Sequence, residues 1–186
     1  MAKKEGQEVS VHQAHLFSDT TEKVHAKDLR DVLLVVIRIR GDAKKPHWMK
    51  KTMEILRLHR KYHAVLVKAT PDMNGMLNKI KDFIAFGTVT KETLTEMLKT
   101  KSKLTGHKPF DQKSMTALTG CATFEDLADA LMNFSITWKD IKHVVPVFRL
   151  HPARGGFFKG IKVQWGQGGV LGFHANGIDK LLMRMI

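Results

Sequence analysis

The stretch that most constrains the fold is Val32–Ile39, a near-continuous run of β-branched residues and leucine. It is far shorter than the roughly 18 apolar residues a membrane-spanning helix needs. Its composition predicts a buried strand. Arg38 and Arg40 alternate with Ile39, so the strand's end is expected to emerge into solvent. Gly41 closes the strand, and Pro46 suits the first turn of a helix.

A repeating pattern follows. In Trp48–Arg60, Met49, Met53 and Leu56 form one apolar face, widened by Ile55 and Leu58. Lys50, Arg57 and Lys61 fall on the opposite side, with Glu54 between them. Ala64–Val67 reads as a second strand, and Thr70-Pro71-Asp72 as a turn into a helix. There Met73, Met76, Leu77 and Ile80 recur at i, i+3, i+4, i+7. Phe83–Phe86 is a third strand stopped by Gly87, and Thr90 caps a helix running through Leu98. Strand, helix, strand, helix, strand, helix predicts a small α+β layer with helices packed on a sheet.

After Lys101 the pattern loosens. Thr123 is expected to cap a helix through Met132, and Thr137 another short one. Val144–Leu150 reads as a strand near a sheet edge, because Pro146 cannot donate to a ladder. Asn176-Gly177-Ile178-Asp179 opens a last helix with Ile178, Leu181, Leu182 and Met185 as its stripe. The expected division is a mobile extension over 1–31 with a short helix near Thr20–Arg30, a core over 32–100, and a C-terminal extension over 101–186.

Charge narrows the function. Lys and Arg total 31 against 18 acids, giving a net charge of +13. Such a field seeks polyanions. Residues 38–68 hold ten bases and two acids, and from Ile141 to Ile178 there is no Asp or Glu. Soluble faces normally mix signs. Arg40, Lys44, Lys45 and Lys50 in the first region, with Lys159 and Lys162 in the second, are therefore candidate RNA contacts. A membrane surface is the competing polyanion, but the basic residues are not confined to one amphipathic helix. Without a signal-peptide-like apolar segment or a cysteine framework (Cys121 is the only cysteine), the expectation is a soluble, intracellular, cytoplasmic protein.

Motifs for chemistry are weak. His59 and His63 have the i, i+4 spacing of a zinc helix, but Arg60 stands where the metalloprotease glutamate would be, and no metal role is expected. Gly166-Gln167-Gly168-Gly169-Val170-Leu171-Gly172 looks like a nucleotide loop. It neither opens a Rossmann unit nor ends in Gly-Lys-Ser/Thr, so a glycine turn shaping a hairpin is the favoured reading. No paired catalytic carboxylates and no nucleophile elbow stand out, so neither catalysis nor a cofactor is expected. Phe148-Arg149-Leu150-His151-Pro152-Ala153-Arg154-Gly155-Gly156-Phe157-Phe158 differs in kind. Arg149, His151 and Arg154 can reach phosphate, Gly155 and Gly156 let backbone approach closely, and Phe157 or Phe158 can stack.

These segments, in this order, resemble a known family. Arg38-Ile39-Arg40-Gly41, Leu56-Arg57-Leu58-His59-Arg60 with His63, Thr70-Pro71, Gly75-Met76-Leu77 and Lys79-Ile80-Lys81-Asp82-Phe83 are similar to the large-subunit ribosomal protein L-thirty family. Phe148–Phe157, Gly168–Gly172 and Ile178–Met185 resemble its long archaeal and eukaryotic branch. The resemblance covers roughly Leu33 to Ile186. It implies a βαβαβ core related to ferredoxin-like folds with a C-terminal α/β extension. It also implies an architectural role on large-subunit rRNA, neighbouring ribosomal proteins as partners, proximity to 5S rRNA, and no catalysis. Carried over by residue, it points to Arg57, His59, Arg60, His63, Thr70, Lys79, Arg149, His151, Arg154, Gly155 and Gly156 as RNA-binding. The chain departs from the pattern at Gly166-Gln167, where Lys-Glu is expected, and at Phe173-His174-Ala175, where Tyr-Arg-Gly is expected. Ala85-Phe86-Gly87-Thr88 likewise replaces Thr-Trp-Gly-Glu. An RNA chaperone or subunit-assembly factor of the same ancestry is the alternative function.

Overall fold

In the computed structural model the described residues are 30–186 apart from 42–45, 107, 140, 158 and 176. The expected helix near Thr20–Arg30 thus lies almost wholly outside them, as do Lys44 and Lys45.

The sheet grows around β1 (Leu33–Arg38), all six of whose residues are buried. β2 (His63–Lys68) and β3 (Ile84–Thr88) pair with it antiparallel on either side. β4 (Phe148–Arg149) adds antiparallel to β2, and β5 (Gly172–His174) adds parallel to β3, giving the order β4-β2-β1-β3-β5. Successive strand side chains point to opposite faces, so β1 supplies two cores. Leu34 and Val36 join Met49, Met53, Leu77 and Ile80 beneath α1 (His47–Ile55) and α2 (Pro71–Ile80). Leu33, Val35 and Ile37 join the other, larger core, with Leu94, Met97, Leu127 and Leu182. That face carries α3 (Lys91–Lys101), α4 (Gln112–Thr119), α5 (Phe124–Met132) and α6 (Asp179–Met183). The α+β expectation holds, with helices on both faces.

Local chemistry explains the boundaries. The Thr70 hydroxyl accepts the Met73 N–H at 3.2 Å, starting α2. Thr123 and Asp126 form a reciprocal capping box at α5. α6 is tied to the start of α3 by Asp179 Oδ1, which accepts the Thr90 N–H at 2.9 Å and sits 3.0 Å from its hydroxyl.

Several expectations need correcting. The helix predicted to reach Arg60 stops at Ile55, because Leu56 and Leu58 are both buried and two residues apart. No single helical face can bury both. The chain turns instead through Arg57, whose φ is +58°. Arg38 does not emerge: it is 2% exposed, and its Nη1 donates to the carbonyls of Leu58 (2.7 Å) and His59 (2.6 Å). β3 runs on through Gly87 to Thr88, because β1 pairs with both residues and β5 reaches Gly87 from the other side. The strand expected over Val144–Leu150 is only Phe148–Arg149, at the sheet edge as Pro146 implied. Thr137 leads into a turn rather than a helix, and α4 had no counterpart in the sequence pattern. The glycine segment does not shape a hairpin. Trp165–Gln167 is a 3-10 turn leading into a parallel strand.

Candidate nucleic-acid interface

β1 ends where β2 and β3 begin, since Ile37 pairs with Ala64 and Arg38 with Ile84. β4 meets β2 at that same end (His63 opposite Arg149), and β5 starts there opposite Ala85. Five connections therefore line one end of the sheet. In spatial order they are the Arg149–Gly156 loop, the Arg57–His63 turn, the Arg38–Gly41 exit, the Lys79–Phe83 turn and the Lys159–Leu171 segment. Residues far apart in sequence become neighbours.

The second connection is held from beneath by Arg38. Its guanidinium fixes the carbonyls of Leu58 and His59, which leaves Arg57, His59, Arg60 and Lys61 exposed. Tyr62 at φ +64° and Arg57 at φ +58° adopt the left-handed backbone that side chains disfavour. Tyr62 is anchored all the same, its carbonyl accepting the Leu150 N–H at 3.0 Å and its ring stacking on Phe157 at 6.4 Å between centroids. Lys50 and His59 flank a cleft of about 220 Å³ that Arg38 and Leu58 also line.

His63 is half-buried, and its Nδ1 finds no hydrogen-bond partner among the described residues. Burial, then the positive charges of Arg149, His59, Arg60 and Arg38, push its pKa below the usual 6.5. Four cationic or potentially cationic side chains bearing on one imidazole make this a place suited to an anion.

The Arg154–Gly156 loop is braced by Arg184, a residue sequence reasoning passed over. Arg184 Nε and Nη2 donate to the Arg154 carbonyl at 3.0 and 2.9 Å, and Nη2 also to the Gly156 carbonyl. Backbone bonds from His151 N–H to Met185 O and from Arg154 N–H to Arg184 O complete the brace. Gly155 and Gly156 both have φ near +75° (76° and 74°), which a side chain would strain. Arg149, His151 and Arg154 stay exposed on this frame. Lys101, at the end of α3, also belongs here: its pKa is lowered by burial and then by Arg154 and Lys103. The only sequence signal for Lys101 and Arg184 was their position at helix C-termini, where basic residues are common for reasons unrelated to ligands.

The remaining predicted residues divide. Arg40 is half-exposed over the Phe83 ring, 4.6 Å from its centroid, and donates to Asp82 O at 3.1 Å. Lys79 is exposed in the last turn of α2. Lys159 and Lys162 are exposed beside the glycine turn, where Lys159 Nζ donates to Gln167 O at 3.3 Å. Thr70 lies at the other end of the sheet, beyond Lys68, with its hydroxyl engaged as a helix cap. His59 and His63 do not share a helix, so their spacing does not give a metal-binding face.

The family described as ribosomal protein L30p/L7e matches residues 34–84, from β1 through α2 to the first residue of β3, the centre of this row. The chain is 39% identical to the large ribosomal subunit protein uL30 of Methanocorpusculum labreanum, over 82% of this chain and 99% of that protein. This chain belongs to the uL30 family. The uL30 of Methanoculleus marisnigri is 40% identical over the same shares, and that of Thermofilum pendens 39% identical over 83% of this chain and 99% of its own. The similarity thus takes in the C-terminal half as well as the unit the family description covers. The βαβαβ core and its C-terminal extension belong to one uL30 fold, and the row of basic connections is built from both.

Proposed function

We propose that this uL30-family chain is a structural constituent of the large ribosomal subunit, binding and bracing rRNA with the connections at the β1-exit end of the sheet. The observation that carries the reading is the convergence of the Arg57–His63 turn and the Arg149–Gly156 loop across the β2–β4 edge. The relatives' description as large ribosomal subunit proteins supports it. Exposed Lys and Arg at fixed spacing displace condensed counterions from a phosphate backbone, and arginine adds bidentate contacts. Among the sequence candidates, Arg40, Lys50, Arg57, His59, Arg60, His63, Lys79, Arg149, His151, Arg154, Lys159 and Lys162 supply this surface, with Gly155 and Gly156 admitting close backbone approach. Residues 32–100 act as the rRNA-binding core and 101–186 as the extension that completes the surface. 5S rRNA and neighbouring ribosomal proteins are the further partners, the place of action is the cytoplasmic ribosome, and the role is architectural, with no reaction catalysed.

The test is sedimentation of the tagged full-length protein in a low-salt gradient. The expected result is co-migration with large subunits and with translating ribosomes. Protein running wholly off ribosomes overturns the reading, and protein confined to immature particles replaces it with an assembly role.

A further inference from the structure

The turn from Trp165 to Gly172 has an exposed indole fixed in place, on a segment that contains no acid. The Trp165 N–H donates to Leu171 O at 2.7 Å, and its carbonyl accepts the Gly168 N–H at 2.9 Å. Its ring lies on the His174 imidazole, with centroids 4.2 Å apart and planes 24° from parallel. His174 is only 2% exposed, and its Nε2 donates to Val170 O at 2.9 Å, so the floor under the indole is itself tethered. Even so, Trp165 keeps 37% of its surface in solvent. Tryptophan is normally well buried. A side chain added at Gly166 would meet nothing within 4 Å, so the turn is open to solvent at the residue next to Trp165. Lys159 and Lys162 are exposed nearby, and the Asp82 carboxylate that reaches the turn accepts the Gln164 amide N–H at 2.5 Å.

We propose that Trp165 is a stacking platform for one unpaired base of the bound RNA, with Lys159 and Lys162 meeting the flanking phosphates. The proposal rests on the rRNA-binding reading and adds a contact of a different kind to it. Every base has a π-face, so stacking needs a flat ring with an open face and no particular sequence. An indole resting on His174, on a backbone itself held by two hydrogen bonds, has less freedom to lose on binding than a loose side chain. The surroundings favour RNA over an apolar protein neighbour, since the segment around the turn carries exposed Lys159, Lys162 and Gln167 and contains no acid.

The test uses the full chain carrying Trp48→Phe, because Trp48 is 52% exposed and would report as well. Of the three tryptophans this leaves Trp165 and the 3%-exposed Trp138. Protein-free large-subunit rRNA is the probe. On saturation, indole emission is expected to be quenched and acrylamide access to Trp165 lost. Trp165→Leu should weaken binding about tenfold and Trp165→Phe less, both leaving the slope of log K against log salt unchanged, because stacking releases no counterions. An indole still open to acrylamide in the saturated complex overturns the proposal while leaving RNA binding intact. So does wild-type affinity in Trp165→Leu. Protection seen in whole subunits but not with rRNA alone assigns the ring to a protein neighbour, and also overturns it. If the unaltered chain binds no rRNA at all, the parent reading falls, and this one with it.

Discussion

His63, opening β2, and Arg149, in β4, face each other across the antiparallel edge of the sheet, and burial first, then the arginine's charge, lowers the imidazole's pKa. That edge joins the Arg57–His63 turn to the Arg149–Gly156 loop. Replacing Arg149 and Arg154 with Gln is expected to weaken rRNA binding and to make its salt dependence shallower, by about 0.7–0.9 in slope for each phosphate left unneutralised. Titrations of an rRNA fragment at several salt concentrations measure both quantities. An unchanged slope would show that these side chains face away from phosphate.

Arg57 sets stability against binding. Its φ of +58° carries a cost that glycine does not incur, on the order of 1 kcal/mol. Arg57→Gly is therefore expected to leave the protein as stable as before, or up to about 1 kcal/mol more stable, while lowering rRNA affinity. Denaturant melts paired with binding curves give the two signs. A variant that loses stability and keeps its affinity would assign Arg57 to the fold alone.

Thr70 should behave in the opposite way. Its hydroxyl caps α2 at the far end of the sheet. Thr70→Ala is expected to cost about 1 kcal/mol of stability through the lost cap and to leave rRNA affinity unchanged. Reduced affinity in a variant that still melts cooperatively would return Thr70 to the interface.

Two histidines set a pH dependence. Burial holds both His63 and His174 below the usual 6.5, with nearby cations adding to the effect at His63 and the Val170 hydrogen bond opposing it at His174. Well above pH 6.5 neither the folded nor the unfolded state carries the extra protons, and the contribution is constant. As pH falls from 6.5 through the lowered folded values, the unfolded chain takes up protons that the folded chain excludes, so stability drops. Tm measured from about pH 7.5 to about pH 5 should show this decline. His63→Gln with His174→Gln should flatten it, and an equally steep decline in the double variant would place its origin elsewhere.

The core was legible from sequence wherever one element's own pattern decided its structure. Val32–Ile39 read as a strand, the caps at Thr90 and Thr123 mark the helix starts they predicted, and the turn at Thr70-Pro71-Asp72 leads into α2. Sequence misled where a distant partner decided. Arg38 read as emerging because the carbonyls it serves lie twenty residues on. Gly87 read as a stop because its strand partners, Val35 in β1 and His174 in β5, cannot be seen locally. The interface was half legible for the same reason. Basic runs named most of its residues, but only the sheet order puts Arg149 beside His63, and only the Arg184 fork reveals what stiffens Arg154–Gly156.

Gly169 separates a structural turn from a nucleotide loop. A Cβ at this position would lie 2.1 Å from the Val163 carbonyl oxygen, a backbone atom that cannot swing aside. Gly166, three residues earlier in the same glycine run, has open space at that position. Gly169→Ala is therefore expected to lower stability by about 1–3 kcal/mol, as overpacking does, while Gly166→Ala costs far less. The damage should reach the interface indirectly, since Val170 O tethers His174 and Leu171 O holds the Trp165 N–H. Thermal melts of the two variants, with rRNA binding measured on the folded fraction, make the comparison. If Gly169→Ala melts like the unaltered chain yet abolishes saturable binding of a nucleotide, the turn is a ligand loop after all; equal, near-zero effects at both glycines would show that the backbone at Val163 yields.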